Sequence, residues 1–152
     1  MVKHVCPTPG FEKLLVATDG SEFSKAAVNE AIDIAKSCSS KLFVVSVVEM
    51  NPEYEAIAPK LIEKAEKEMR KHLESVKVKA SKEGVQCETI IHQGEDPYQY
   101  IISEAQKRKV NIIIMGSHGR TGLKRLMMGS TASRVIGHAP CQVLVVPIKA
   151  KK

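Results

Sequence analysis

The stretch VNIIIMGSHGRTGLKRLMMGSTASRVIGHAPCQVLVV, residues 110–146, decides the fold. Its first six residues, 110–115, are apolar except for Asn111. An apolar run this short is typical of a strand that is covered on both faces in a parallel sheet. Residues 130–138 form a short predicted helix, and Gln142–Val146 is a second apolar strand. The stretch therefore predicts a strand, a loop, a helix and a strand in that order.

Two glycine clusters lie between the two strands. Glycine accepts backbone conformations with positive φ and lets a ligand approach the bare backbone. Gly129 is followed by Ser130 and Thr131 at a helix start, where we expect Ser130 to be the N-cap and the free N–H groups of the first turn to face an anion. Two residues separate Gly116 from Gly119, and nine separate Gly119 from Gly129. This spacing predicts one phosphate cradle, although the first cluster alone fits a tight turn without a ligand equally well.

Strands and helices alternate upstream of this stretch. Apolar segments predict strands at 12–18 and 42–48, and the alternating segment 86–93 suits the edge of a sheet. Ser21 is placed to cap a packing helix, and Asp96 is placed to cap another. Five strands and four helices predict a doubly wound five-stranded parallel sheet with right-handed crossovers and helices on both faces.

The longest predicted helix runs from about Ile57 to Lys82, before Gly84. Its apolar positions recur every three or four residues. They are Ile57, Leu61, Ala65, Met69, Leu73, Val76 and Ala80. Residues 50–59 contain two prolines and are expected to form a loop or an irregular entry to this helix.

Asp19 falls at the carboxyl end of the first strand. In open α/β sheets, ligands bind outside those ends, near the point where the strand order reverses. Val47, at the end of the second strand, is expected near Asp19 if the two strands pair in parallel. Asp19 fits a ligand contact and a turn residue equally well.

The composition excludes several classes of protein. No apolar run approaches the roughly 18 residues of a membrane span, and the first ten residues lack the apolar centre of a signal peptide, so we expect a cytoplasmic protein without a membrane partner. The net charge is +6, but setting aside the four lysines near the termini leaves 19 of the 23 basic residues against 17 acidic ones. The few aromatic residues form no stacking platform for bases. We therefore expect no nucleic-acid partner.

The cysteines and histidines are scattered along the chain. No CxxC pair and no metal-ligand spacing is present, so we interpret the four cysteines as free thiols. Among the five histidines, only His118 lies in a candidate site.

The final strand, Gln142–Val146, is unusually apolar for the edge of a sheet. An exposed edge of this kind invites aggregation unless something covers it. The same strand of a second copy, related by a two-fold axis, would cover it.

Over nearly its whole length the chain resembles the universal stress protein family. The resemblance rests on VATDGSE at the first strand, on Val47, Val48 and Glu49 at the second, on the loop MGSHGRTG, on MGST and on PCQVLVVP. The two glycine clusters at this spacing are the mark of the nucleotide-binding branch. The resemblance implies a single domain at residues 11–148, between a flexible leader at 1–10 and a basic tail at 149–152. It also implies the strand order 3-2-1-4-5 and a homodimer through the final strand.

By the same resemblance, ATP would lie across the carboxyl ends of the strands. The residues implied on the adenine and ribose side are Ala17, Thr18, Asp19, Val47, Met115 and Gly116. Those implied around the phosphates are His118, Gly119, Gly129, Ser130 and Thr131. Asp19 would also reach Mg²⁺ or Mn²⁺ bridging the phosphates. ADP and AMP would fit the same cradle, and Ala132 stands where some relatives carry a hydroxyl.

These features favour a nucleotide-binding regulatory protein, a homodimeric switch with an unidentified protein partner. Only His118 is placed to act as a base near the phosphates, so we expect at most slow ATP hydrolysis. Two alternatives stay open: a nucleotide-processing enzyme that transfers adenylyl or phosphoryl groups, and a structural dimer with a vestigial pocket. The basic residues of 120–125 either screen the phosphates or are solvated, and we favour the second interpretation.

Overall fold

The computed structural model describes residues 10–118 and 128–147. Five parallel strands form one sheet in the order β3-β2-β1-β4-β5. The elements are β1 Lys13–Ala17, α1 Glu22–Cys38, β2 Lys41–Glu49, α2 Pro52–Ile57, α3 Pro59–Lys82, β3 Cys87–Gly94, α4 Pro97–Arg108, β4 Ile112–Gly116, α5 Ser130–His138 and β5 Gln142–Val146. The predicted doubly wound fold is confirmed. The predicted leader and tail, apart from Gly10, lie outside the described residues, as do Gly119 and residues 120–125.

The core fills both faces of the sheet. On one face, α1 and α3 pack against β1, β2 and β4, and the buried side chains include Leu14, Val44 and Ile114. On the other face, α4 and α5 cover a second cluster that includes Leu15 and Ile113. These strands are buried on both faces, which explains their nearly continuous apolar sequences. Within the described ranges, no helix is long and apolar enough to cross a membrane.

The segment after β2 differs from the predicted loop or irregular entry at 50–59 and from the single long helix predicted from Ile57. Residues 52–57 form the separate short helix α2, and Ala58 breaks the helical path with φ −138° and ψ 58°. The cause is Pro59, which begins α3 and disfavours a helical conformation in the residue before it. Ile57 is 83% exposed and Leu61 61% exposed, so the predicted buried stripe is wrong at its first two positions.

The basic end of α4 has a structural role. Arg108 donates to Glu104 and to Glu88, each over 2.8 Å, and its guanidinium lies 4.8 Å from the centre of the Phe43 ring. Glu104 is 5% exposed and also lies 2.9 Å from His92 on β3. Burial alone would raise the pKa of Glu104, but the hydrogen bonds from Arg108 and His92 outweigh it and hold the pKa below its usual value. This cluster fixes the edge strand β3 against α4.

The cysteines are not all free thiols. Cys87 and Cys141 are free, and burial raises the pKa of both thiols. Cys38 is disulfide-bonded, so the prediction is wrong for this residue. Sequence spacing could not show this, because the distance between two cysteines depends on the fold.

The backbone of Phe23 packs so closely against Gly116, the last residue of β4, that there is little room for a side chain at this position. A Cβ atom there would lie 3.0 Å from the backbone carbonyl oxygen of Phe23, which cannot swing aside as a side chain can. We predict that Gly116→Ala lowers the free energy of unfolding by about 1–3 kcal/mol, measured by urea denaturation. Gly137→Ala is the control, because nothing lies within 4 Å of its added Cβ and alanine favours the helix. Equal stability of the Gly116→Ala variant and the unmodified protein would contradict the prediction.

Candidate functional site

A cavity of about 870 Å³ opens at the carboxyl ends of β1, β2 and β4 and at the start of α5. The chain leaves β1 toward β2 and β3 on one side, whereas β4 and β5 lie on the other side. The cavity therefore lies at the reversal of strand order, where ligands bind in sheets of this class. Ten of the eleven sequence-predicted site residues line it. They are Ala17, Thr18, Asp19, Val47, Met115, Gly116, His118, Gly129, Ser130 and Thr131. The eleventh, Gly119, lies outside the described residues.

One backbone hydrogen bond joins the two glycine clusters. The N–H of Gly129 donates to the carbonyl oxygen of Ser117 over 2.8 Å, and the N–H of Ser117 donates to the carbonyl oxygen of Val146 over 3.1 Å. The end of β4, the start of α5 and the end of β5 therefore meet at one residue. Gly129 is therefore close to Gly116, the described glycine of the first cluster.

The N-cap of α5 is Gly129, not Ser130. Gly129 has an extended backbone, and its carbonyl oxygen accepts from the N–H of Ser133 over 3.0 Å, which makes Ser130 the first helical residue. Within the described part of the chain, no side chain caps this helix. The N–H groups of Ser130 and Thr131 are in the first turn, where a helix leaves its donors without intrahelical acceptors. Together with the helix dipole, they favour an anion in this part of the cavity.

His118 is 7% exposed and lines the cavity beside Ser117. Its Nδ1 lies 2.8 Å from the Ser117 hydroxyl, so this hydrogen bond holds the ring. A buried ring in this position is suited to orienting a ligand.

Asp19 shapes the turn between β1 and α1. Its Oδ1 accepts from the N–H of Ser21 over 2.9 Å and from the Ser21 hydroxyl over 2.5 Å. Ser21 is the N-cap of α1, as predicted, and its side chain accepts from the N–H of Ser24. Asp19 therefore has the turn role that the sequence allowed, and it also lines the cavity.

A buried hydrogen-bond chain behind Asp19 was not predicted. The Thr18 hydroxyl lies 2.9 Å from Nε2 of His72, 2.8 Å from the Ser24 hydroxyl and 3.3 Å from the N–H of Gly20. The Ser24 hydroxyl donates to the carbonyl oxygen of Ser21 over 3.0 Å. Because this uses the only hydroxyl hydrogen of Ser24, Thr18 donates to Ser24 and His72 donates to Thr18. These hydrogen bonds hold the end of β1 against α3.

His72 contacts Thr18 from α3 and is not among the residues that line the cavity, so among the described histidines only His118 lines it, as expected. The signal in the sequence is weak: His72 follows the apolar position Met69 by three residues, at the edge of the buried face of α3. The residues that line the cavity and were not predicted are Ser24, Val45, Val48, Glu49, Met50, Asn51, Tyr54, Ala65, Met69, Glu95, Pro97, Ile101, Ser117 and Ala132. Most of them come from segments that no glycine motif marks.

Comparison with known proteins gives consistent results. A profile of the universal stress protein family matches residues 10–147. The universal stress protein MJ0531 of Methanocaldococcus jannaschii is 37% identical over 150 residues, which cover 93% of this chain and 85% of that protein. YxiE of Bacillus subtilis, also a universal stress protein, is 35% identical, with coverage of 90% and 99%. The solved structure of the hypothetical protein MJ0577 superposes with a TM-score of 0.82 at 28% identity, covering 93% of this chain and 99% of that one. The chain therefore belongs to the universal stress protein family.

Proposed function

We propose that this protein is a regulatory ATP-binding protein that holds the nucleotide across the carboxyl edge of its sheet. The observation that carries the proposal is the meeting of Ser117 and Gly129, which places the end of β4 beside the start of α5, a start that no described side chain caps. A cavity of about 870 Å³ is within the range of about 300–1,000 Å³ that is usual for small-molecule sites. The phosphates would bind at the first turn of α5, where backbone N–H groups and the helix dipole favour negative charge.

The rest of the nucleotide would lie along the ends of β1 and β2. Ala17, Val47 and Met115 provide apolar contacts for the base and ribose, and Thr18 and Asp19 provide polar ones. The described residues contain no group of three His, Cys, Asp or Glu that could hold a metal ion without help. Mg²⁺ or Mn²⁺ would therefore bind through Asp19 together with the nucleotide phosphates. ADP and AMP are the competing ligands, because the cradle holds the first phosphates of each.

The regulatory action would be a switch with at most slow hydrolysis. Ser117 is bonded both to Gly129 beside the phosphates and to Val146 of β5, which is the proposed homodimer strand. Nucleotide binding at one end of this connection would change what the dimer presents to a protein partner, provided that the two states bind nucleotide unequally. A single domain at residues 11–148, a cytoplasmic location and the lack of a nucleic-acid partner remain predictions.

A negative charge at the phosphate end tests the binding site. Gly129→Glu places a carboxylate at the start of α5, and we expect ATP affinity to fall by on the order of 100-fold or more through charge repulsion. The measurement is titration calorimetry with ATP. Ser133→Glu is the control, because it adds the same charge on an exposed position of α5 outside the cavity and should bind ATP nearly as well as the unmodified protein.

Sedimentation velocity checks that the Gly129→Glu protein keeps its dimer and its fold. Loss of binding in both glutamate variants would show a general effect of charge on α5 rather than a phosphate site. Absence of ATP binding by the unmodified protein, with no adenine nucleotide released on denaturation, would remove the proposed function and favour the vestigial pocket.

A charge on the edge strand tests the dimer. Leu144 is 37% exposed on β5, and burying a new carboxylate at a subunit interface is costly. We predict that Leu144→Asp converts the dimer to a monomer at micromolar concentration, measured by sedimentation velocity. Val78→Asp is the control, because Val78 is 45% exposed on α3, away from β5, and this variant should remain dimeric. A Leu144→Asp protein that stays dimeric would place the interface elsewhere.

A further inference from the structure

The short helix α2 exposes apolar surface beside the cavity. None of its six described residues is buried, and Tyr54 is 60% exposed. Asn51 caps the helix, since its Oδ1 accepts from the N–H of Tyr54 over 2.7 Å. The backbone at Tyr54 is therefore fixed, whereas its ring is largely in water.

Tyr54 also lines the cavity. Among the described residues that do so, it is the only phenylalanine, tyrosine or tryptophan. It belongs to the segment that follows β2, as do the cavity residues Met50 and Asn51. The cavity thus has an aromatic side chain at its β2 end and none of these residues at its α5 end.

Charged and polar groups favour the phosphates of a nucleotide at the α5 end of the cavity and disfavour them at the β2 end. Glu49 at the end of β2 and Glu95 just after β3 line the cavity, and their carboxylates repel phosphate. The start of α5 attracts phosphate through its N–H groups. Since β2 is separated from β4 by β1, the two ends lie two strand spacings apart, or about 10 Å. A nucleotide extended between them would place its base at the β2 end.

We propose that Tyr54 stacks on the base of the bound nucleotide and makes the site selective for ligands that carry an aromatic base. This inference rests on the proposed function and adds the residue that recognises the base. Bases stack well on aromatic side chains, and a tyrosine ring loses little conformational freedom when it becomes ordered. The ring is exposed without ligand, and its apolar face leaves water when the base binds.

The test measures the affinity for ATP and for tripolyphosphate, which has no base, by titration calorimetry. Tyr54→Ala is expected to weaken ATP binding by on the order of 10-fold and to leave tripolyphosphate binding unchanged. Tyr54→Phe keeps the ring and should bind ATP within about 2-fold of the unmodified protein. Ile57→Ala is the matched control, because it removes a more exposed side chain from the same helix that does not line the cavity.

Tyrosine fluorescence gives a second measurement that needs no base-free ligand. ATP should quench part of the emission of the unmodified protein, and this part should be missing in Tyr54→Phe, which retains Tyr98 and Tyr100. Equal ATP affinity of Tyr54→Ala and the unmodified protein would overturn the inference while the proposed function stands. Equal weakening of ATP and tripolyphosphate would also overturn it, because Tyr54 would then act through the fold. Failure of the unmodified protein to bind ATP would overturn both.

Discussion

The arrangement of the site depends on the peptide groups on either side of the Ser117 Cα. The N–H of Ser117 bonds to Val146 and its carbonyl oxygen to Gly129, so backbone hydrogen bonds join the two β-strands and the helix at the proposed phosphate end, in addition to the packing of their side chains. Substitutions other than proline leave the N–H and carbonyl groups of these bonds in place. The close approach of Gly116 to the carbonyl of Phe23 adds a steric limit one residue earlier, since α1 then lies against the end of β4. The loop therefore has little freedom at its first residues, whatever it binds.

This constraint connects the proposed phosphate end directly to the edge strand β5. Val146 is the last residue of β5, and β5 is the strand proposed to contact the second subunit. A ligand at Gly129 and a partner at β5 would therefore act on the same pair of hydrogen bonds. Any coupling between them is reciprocal, so that dimerisation alters nucleotide affinity as much as nucleotide alters dimerisation. Coupling between a ligand at Gly129 and a partner at β5 would not have to pass through the short helix α5, because Ser117 is hydrogen-bonded to both Gly129 and Val146.

The sequence predicted the sheet and ten of the described residues that line the cavity, because both depend on strong local patterns. Buried parallel strands have continuous apolar sequences, and glycine clusters mark the loops between them. The exposure of Ile57 and Leu61 was not predicted. The repeat of apolar positions in the sequence continues across Pro59, whereas the helix is broken at Ala58. His72 was missed because its partner Thr18 is far away in the chain, and Tyr54 was missed because it lies in a segment that was predicted as a loop or an irregular helix entry. The predicted N-cap of α5, Ser130, was wrong by one residue. Gly129 adopts the extended backbone of an N-cap residue, which requires no side chain.

The distribution of the described titratable groups fits the proposed switch with at most slow hydrolysis. Hydrolysis needs a group that orients water beside the terminal phosphate. Glu49 lines the cavity at the end of β2, two strands away from β4, and Asp19 is held by Ser21 at the turn before α1. His118 is the remaining described residue near the phosphate end, and its Nδ1 is bonded to Ser117. A site built in this way would bind phosphate through backbone donors, which would stabilise the ground state as well as the transition state. Such uniform binding holds a nucleotide without accelerating its cleavage.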